Sequence, residues 1–212
     1  NQHLSHTTLK GARKYDYPPV FTYHSPWWSD YKVLNDYFGR LSVALSNGEQ
    51  INDLLIIEPT TTLWNYYSYV KGNRTLEQIG QEFQHFVIRL EKAQVEYDLG
   101  SENIIKDRGS IKKGKFIIGQ RGYSTVIIPP LVENIEKHTF DLLTDFVKQG
   151  GRIISFSVPE RLSGELDGSV SEFFKSDNSS IVLLNQLEEE VIRHYFNNSE
   201  IQFTDIKGGN LF

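Results

Sequence analysis

The sequence predicts an α/β fold: an open, mainly parallel β-sheet with helices on both faces. Short, continuously apolar runs such as Leu54-Leu55-Ile56-Ile57 end in proline or lie next to glycine, as strands covered on both faces do. Stretches of helical periodicity separate these runs at spacings that suit parallel crossovers. No internal repeat or low-complexity segment interrupts the alternation.

The first 26 residues are irregular: Leu9-Lys10-Gly11-Ala12-Arg13-Lys14 is basic, Pro18-Pro19 bars a helix, and Val20-Phe21-Thr22-Tyr23 suits one short strand. Over residues 29–46, Tyr31, Leu34, Tyr37, Phe38, Leu41, Ala44 and Leu45 repeat at helical spacing, and Asn47-Gly48 supplies the stop. Residues 53–58 form the first buried strand and end at Pro59. A helix follows over 75–96, with Thr75 as its cap and Glu77 and Glu82 toward its positive end. Further strands are expected at 97–99, 103–105, 115–118 and 124–128, the last closed by Pro129-Pro130. A helix over 134–148 runs into Gln149-Gly150-Gly151, and 152–156 resumes the sheet. A looser stretch with Pro159, Gly164 and Gly168 precedes a strand at 181–184, a helix over 187–196 and a short strand at 201–203.

At 212 residues the chain holds one good core, or one domain with a remnant of another. A net charge of −5 with no concentrated basic face argues against nucleic acid, which is bound by releasing counterions from a polyanion. The basic run 106–115 is broken by Asp107 and by glycines, and reads as a solvated loop. With no cysteine, the chain has no disulfide, thiolate nucleophile or Cys-ligated metal. No apolar run reaches the roughly 20 residues of a membrane-spanning helix, and no signal-peptide pattern opens the chain. The absence of methionine, at the first position as elsewhere, suggests a piece of something longer.

In such a sheet, ligands sit beyond the carboxyl ends of the strands. Glu58-Pro59-Thr60-Thr61-Thr62, Pro129-Pro130 and Ser155-Phe156-Ser157 fall there. Glu58 suits a general base or ligand anchor, and suits better the plainer role of a carboxylate bonded to a loop backbone or a neighbouring domain. The first strand-to-helix turn lacks the glycines a pyrophosphate needs, so a dinucleotide fold of the Rossmann kind is disfavoured. Gly119-Gln120-Arg121-Gly122 suits a hairpin turn between two close strands. No GxSxG elbow exists, and the six histidines are scattered, with His85, His138 and His194 placed as structural or surface residues. His24, Trp27 and Trp28 remain: rings beside a polar side chain suit a pyranose face, and suit packing between domains as well.

Residues 9–19, Pro26-Trp27-Trp28 with Tyr31, Asp36-Tyr37-Phe38-Gly39-Arg40-Leu41-Ser42 and Glu58-Pro59-Thr60-Thr61 together resemble the family 106 glycoside hydrolases, the α-L-rhamnosidase-like enzymes. Gly114-Lys115-Phe116, residues 123–129 and Gly150-Gly151-Arg152-Ile153-Ile154 are similar to the α/β domain that follows their catalytic barrel. A comparable glutamine-amidotransferase-like domain follows the barrel of family 42 β-galactosidases. The resemblance implies a glutamine-amidotransferase-like, flavodoxin-like three-layer sandwich over residues 31–212. Residues 1–30 would be the end of a (β/α)8 barrel with its linker.

It further implies a non-catalytic domain of a larger hydrolase acting on plant or microbial polysaccharide. The upstream barrel of the same chain and a carbohydrate substrate would be its partners, with no nucleic acid and no membrane, and an oligomer is left open. Calcium is implied for the full-length enzyme, with no cofactor or metal in this segment. A periplasmic or secreted location follows from the same resemblance. Hydrolysis with inversion needs two carboxyl groups about 6.5–9.5 Å apart. Neither matches a position here, so no catalytic residue is assigned, and His24, Trp27, Trp28 and Glu58 stand as candidate substrate contacts. The alternative is a small-ligand or carbohydrate-binding module that uses the strand-end crevice near Glu58.

Overall fold

The computed structural model describes residues 26–50 and 52–196. The chain divides into two compact units, residues 1–51 and 52–212. In the first, a 3-10 turn at Trp28–Asp30 leads into helix α1 (Tyr31–Leu45). Asn47 Nδ2 donates to the carbonyl of Val43 at 2.6 Å, and Gly48 takes φ +90°, so the expected Asn-Gly stop ends the helix as a left-handed C-terminal turn. No residue of α1 is buried.

The second unit is the predicted α/β sandwich. Strands β1 (Leu54–Ile57), β2 (Asp98–Gly100), β6 (Thr125–Ile128), β8 (Arg152–Ser155) and β11 (Ile181–Leu183) form one fully parallel sheet in the order β11-β8-β6-β1-β2. Counting only these five strands, the order is 2-1-3-4-5, the flavodoxin-like winding, with its switch point between β1 and β6. Around the sheet lie α2 (Thr60–Trp64), α3 (Arg74–Lys92), α4 (Glu102–Arg108), α5 (Lys137–Lys148), α6 (Gly168–Lys175) and α7 (Glu189–Tyr195).

Strand alternation explains why the apolar runs are continuous. Leu55, Ile57, Val126, Ile128 and Ile153 face one core, shared with Ile105 of α4, Leu143 and Phe146 of α5, and Phe174 of α6. Leu54, Ile56, Ile127 and Ile154 face the other, closed by Phe86 and Leu90 of α3 and by Leu187 and Phe196 around α7. Both faces being covered, every position of β1 and β6 is buried.

Some segments differ from expectation. Residues 103–105, apolar enough for a strand, lie within α4, because Ser101 enters at extended φ and ψ and the next seven residues satisfy their backbone helically. The expected loop at 106–115 completes α4 and forms β3 (Gly109–Lys112), which pairs antiparallel with β4 (Lys115–Ile118). β4 then turns at Gly119, φ +60°, into β5 (Arg121–Tyr123), as the hairpin reading of 119–122 anticipates. These strands form their own sheet, docked on the first core through Phe116 and Tyr123. Residues 134–135 are strand β7 (Asn134–Ile135), not helix, and pair with β9 (Arg161–Leu162), itself paired with β10 (Glu165–Leu166). The loose stretch thus holds a small sheet and α6 as well. The strands expected at 20–23 and 201–203 lie outside the described residues.

Candidate functional site

The switch point is where a flavodoxin-like sheet presents a crevice. Three connections converge there: β1 runs through Glu58-Pro59 into α2, β2 through Ser101 into α4, and β6 through Pro129-Pro130 toward β7 and α5. Each delivers a polar side chain into the protein. Thr61, Thr62, Glu102, Asn134 and Thr139 are all buried, and Glu102 is only 3% exposed.

These groups satisfy one another. Thr61 Oγ1 donates to Glu102 Oε1 at 2.6 Å, and the backbone N–H of Glu136 donates to Glu102 Oε2 at 2.8 Å. Thr62 Oγ1 accepts from the backbone N–H groups of Glu133 and Asn134 at 3.1 and 3.0 Å. Asn134 Oδ1 accepts from the N–H of Gly164 at 2.7 Å, and Ser163 Oγ donates to Glu136 at 2.9 Å. His138 Nε2 meets the carbonyl of Glu102 at 2.7 Å, the structural role expected of that histidine. A buried polar group without a partner is costly, and here the chain supplies nearly all the partners itself.

Burial drives the Glu102 carboxyl above its ordinary value, and the neighbouring Glu136 charge pushes the same way. Hydrogen bonds from Thr61 and the Glu136 backbone oppose the shift without cancelling it. Thr139 faces the same carboxylate and favours its charged form, although its hydroxyl reaches no partner at full hydrogen-bond geometry. At the edge of the cluster, Tyr66 donates to Glu133 at 2.6 Å, which holds its phenol in the neutral form and raises its pKa. The arrangement ties three strand-end connections together through one carboxylate.

Of the four predicted contacts, Glu58 lies in the second unit and is not among the hydrogen-bonded side chains of this cluster. Glu58 lies half-buried at the end of β1, its backbone N–H donating to the carbonyl of Gly100 at 3.1 Å. Trp27 and Trp28 belong to the first unit, 42% and 45% exposed. Trp28 stacks on Tyr31 with centroids 6.1 Å apart and planes 13° apart, and Trp27 meets the same ring at 53°. His24 lies outside the described residues. Ser155 is fully buried and donates to the carbonyl of Ser157, whose own hydroxyl donates to Pro129 at 2.9 Å.

Sequence reasoning placed Thr61 and Thr62 at a strand end but passed over Glu102 and Asn134. Their signal was positional: each follows a strand within a few residues and is polar where the chain re-enters a core. A separate cavity of about 610 Å³ opens beside α3 and α7, where Arg89, Lys92 and Arg193 border Val95, Leu187 and Phe196. Among the described residues, no group of three His, Cys, Asp or Glu side chains could hold a metal ion.

No protein-family model matches the chain, and no curated protein does. Among solved structures, a rhamnosidase from Novosphingobium sp. PP1Y is similar, with a TM-score of 0.54 at 13% identity over 84% of this chain. At that identity the likeness is one of fold. The match takes in 17% of the rhamnosidase chain, so the fold described above occurs there as one part of a much larger protein.

Proposed function

We propose that this chain is a non-catalytic α/β domain of a larger glycoside hydrolase of the α-L-rhamnosidase kind. The observation that carries the reading is the state of the switch point: its buried carboxylate, Glu102, is bonded to Thr61 and to the Glu136 backbone. A general acid or base must reach a substrate proton, whereas both oxygens of this group are spent on holding α2, α4 and the β7–α5 connection together. The fold likeness to part of a rhamnosidase supports the same reading.

On this proposal the catalytic barrel lies upstream in the same protein, with residues 1–30 joined to it and Trp27 and Trp28 at the seam. His24, Trp27, Trp28 and Glu58 are the residues placed to meet substrate or the neighbouring domain. Calcium and a periplasmic or secreted location belong to the full-length enzyme in this reading. The test is direct: the 212-residue chain is incubated with p-nitrophenyl α-L-rhamnopyranoside, and no release of nitrophenol above the buffer rate is expected. Enzymatic turnover that disappears on Glu102→Gln or Glu58→Gln would overturn the assignment.

A further inference from the structure

We propose that the cavity beside α3 and α7 binds a small organic anion, a single negative head group on an apolar body. The cavity holds about 610 Å³, the size of a small-molecule site. Its floor is apolar and recessed: Leu187 and Phe196 are 2% exposed and Val95 is 6% exposed. Its rim is cationic. Arg89 and Lys92, three residues apart on α3, share one face of that helix, and among the described residues neither forms an ion pair. Arg193 of α7 lines the cavity too, and the one carboxylate among the lining residues, Glu189, is bonded to Arg193 at 3.2 Å. Two cations are thus left without a protein counter-ion beside an apolar pocket, in a chain whose net charge is −5.

The end of α3 is built so that it does not oppose an anion. The carbonyls of Arg89, Leu90 and Glu91 already accept from the N–H groups of Ala93, Val95 and Gln94 at 3.1, 3.0 and 2.9 Å, so the negative end of the helix is capped by its own backbone. That cap puts Gln94 at φ +58°, a left-handed position where glycine is the unstrained residue, and the glutamine adds a carboxamide to the cavity wall. The same features select the ligand. A neutral sugar needs an exposed ring to stack on, and the one aromatic lining residue, Phe196, is buried. A protein partner needs a broad exposed apolar surface, whereas Val95, Leu187 and Phe196 are recessed. A long polyanion would meet the exposed Glu188 and Glu190, neither of which lines the cavity, so a compact head with one charge is favoured. No residue of the Glu102 network lines the cavity, and the inference is independent of the accessory-domain reading.

The probe is 1-anilinonaphthalene-8-sulfonate, an aryl body with one sulfonate, titrated into the full 212-residue chain. Its emission should rise to saturation at one site per chain, and saturating dye should raise the urea midpoint, because it binds the folded form. N-phenyl-1-naphthylamine, the same ring system without the sulfonate, should bind roughly tenfold more weakly, and added salt should weaken binding of the sulfonate alone. Arg89→Gln combined with Lys92→Gln should raise the dissociation constant of the sulfonate by roughly tenfold and leave that of the neutral dye unchanged, with the dye-free urea midpoint close to wild type. Lys148→Gln, which alters an exposed lysine of α5 on the other face of the sheet, should change neither constant. No saturable binding, equal affinity for the two dyes, an unchanged constant in the double variant, an equal loss in Lys148→Gln, or a midpoint that falls with dye would each overturn the site.

Discussion

Removing the Glu102 side chain tests the claim that one buried carboxylate holds the strand ends together. Glu102→Ala takes the acceptor away from Thr61 Oγ1 and from the Glu136 N–H. Thr61 retains the carbonyl of Asn134 at 3.5 Å as a poor substitute, whereas the Glu136 N–H has none of comparable geometry. An orphaned buried donor costs about 1–3 kcal/mol, and the vacated space adds to that, while relief from burying a charge subtracts. The net expectation is a loss of about 2–4 kcal/mol, a shift of roughly 4–16 °C for a domain of this size. Glu102→Gln is the control: its oxygen can accept from Glu136 and its amide can donate to Thr61, so it should stay within about 1.5 kcal/mol of wild type.

Urea unfolding followed by circular dichroism, run across pH, measures both variants. Burial raises the folded carboxyl above its ordinary value of 4.5, so between 4.5 and the folded value the native protein keeps a proton that the unfolded chain releases. Wild-type stability contributed by this group is therefore present in acid and is lost as pH rises through that window, and Glu102→Gln removes this slope. Alanine as stable as glutamine, or an unchanged pH slope in the glutamine variant, would refute the reasoning.

Thr62→Val should cost about 2–4 kcal/mol because it deprives the N–H groups of Glu133 and Asn134 of their common acceptor, whereas Thr62→Ser, which keeps the oxygen, should cost far less. Gly151→Ala would set a methyl group 2.2 Å from the ring of the fully buried Phe146, and should lower the urea midpoint by an amount equivalent to about 1–3 kcal/mol. Asn73→Ala removes the cap of α3, whose carboxamide oxygen accepts from the N–H of Thr75 at 2.9 Å, and should cost about 1 kcal/mol in the same assay. Burial and the hydrogen bond to Glu91 push the Tyr97 phenol up to about 12, so a folded-state absorbance titration should show it ionising late. The stability this phenol contributes is lost as pH rises from 10 toward 12, and Tyr97→Phe should remove that loss.

The parallel sheet was legible because its strands are buried on both sides. Leu54-Leu55-Ile56-Ile57 and Thr125-Val126-Ile127-Ile128 have no polar face to confuse the pattern, and Pro59 and Pro129 mark their ends. The helices were legible from periodicity, and α1 also from its Asn47-Gly48 stop, but the N-cap of α3 is Asn73, whose carboxamide accepts from the N–H of Thr75, and not Thr75 as expected. Residues 103–105 were not legible, since a short apolar run fits a strand and a buried helix equally, and only packing of Ile105 into the first core separates them. Two-residue strands such as β7 and β9 carry too little pattern to be seen, because partners 27 residues apart in sequence define them.

The sequence by itself determined the class of fold, the lack of a glycine-rich phosphate-loop motif and the lack of any thiol, since these depend on residue type and local spacing. Only the tertiary structure decided the strand order, the place of the switch point and the fate of its polar groups. Thr61, Glu102 and Asn134 are separated by 41 and 32 residues of numbering, and nothing local links them. Their meeting follows from which strands become neighbours, and that choice is made by burial of both sheet faces at once.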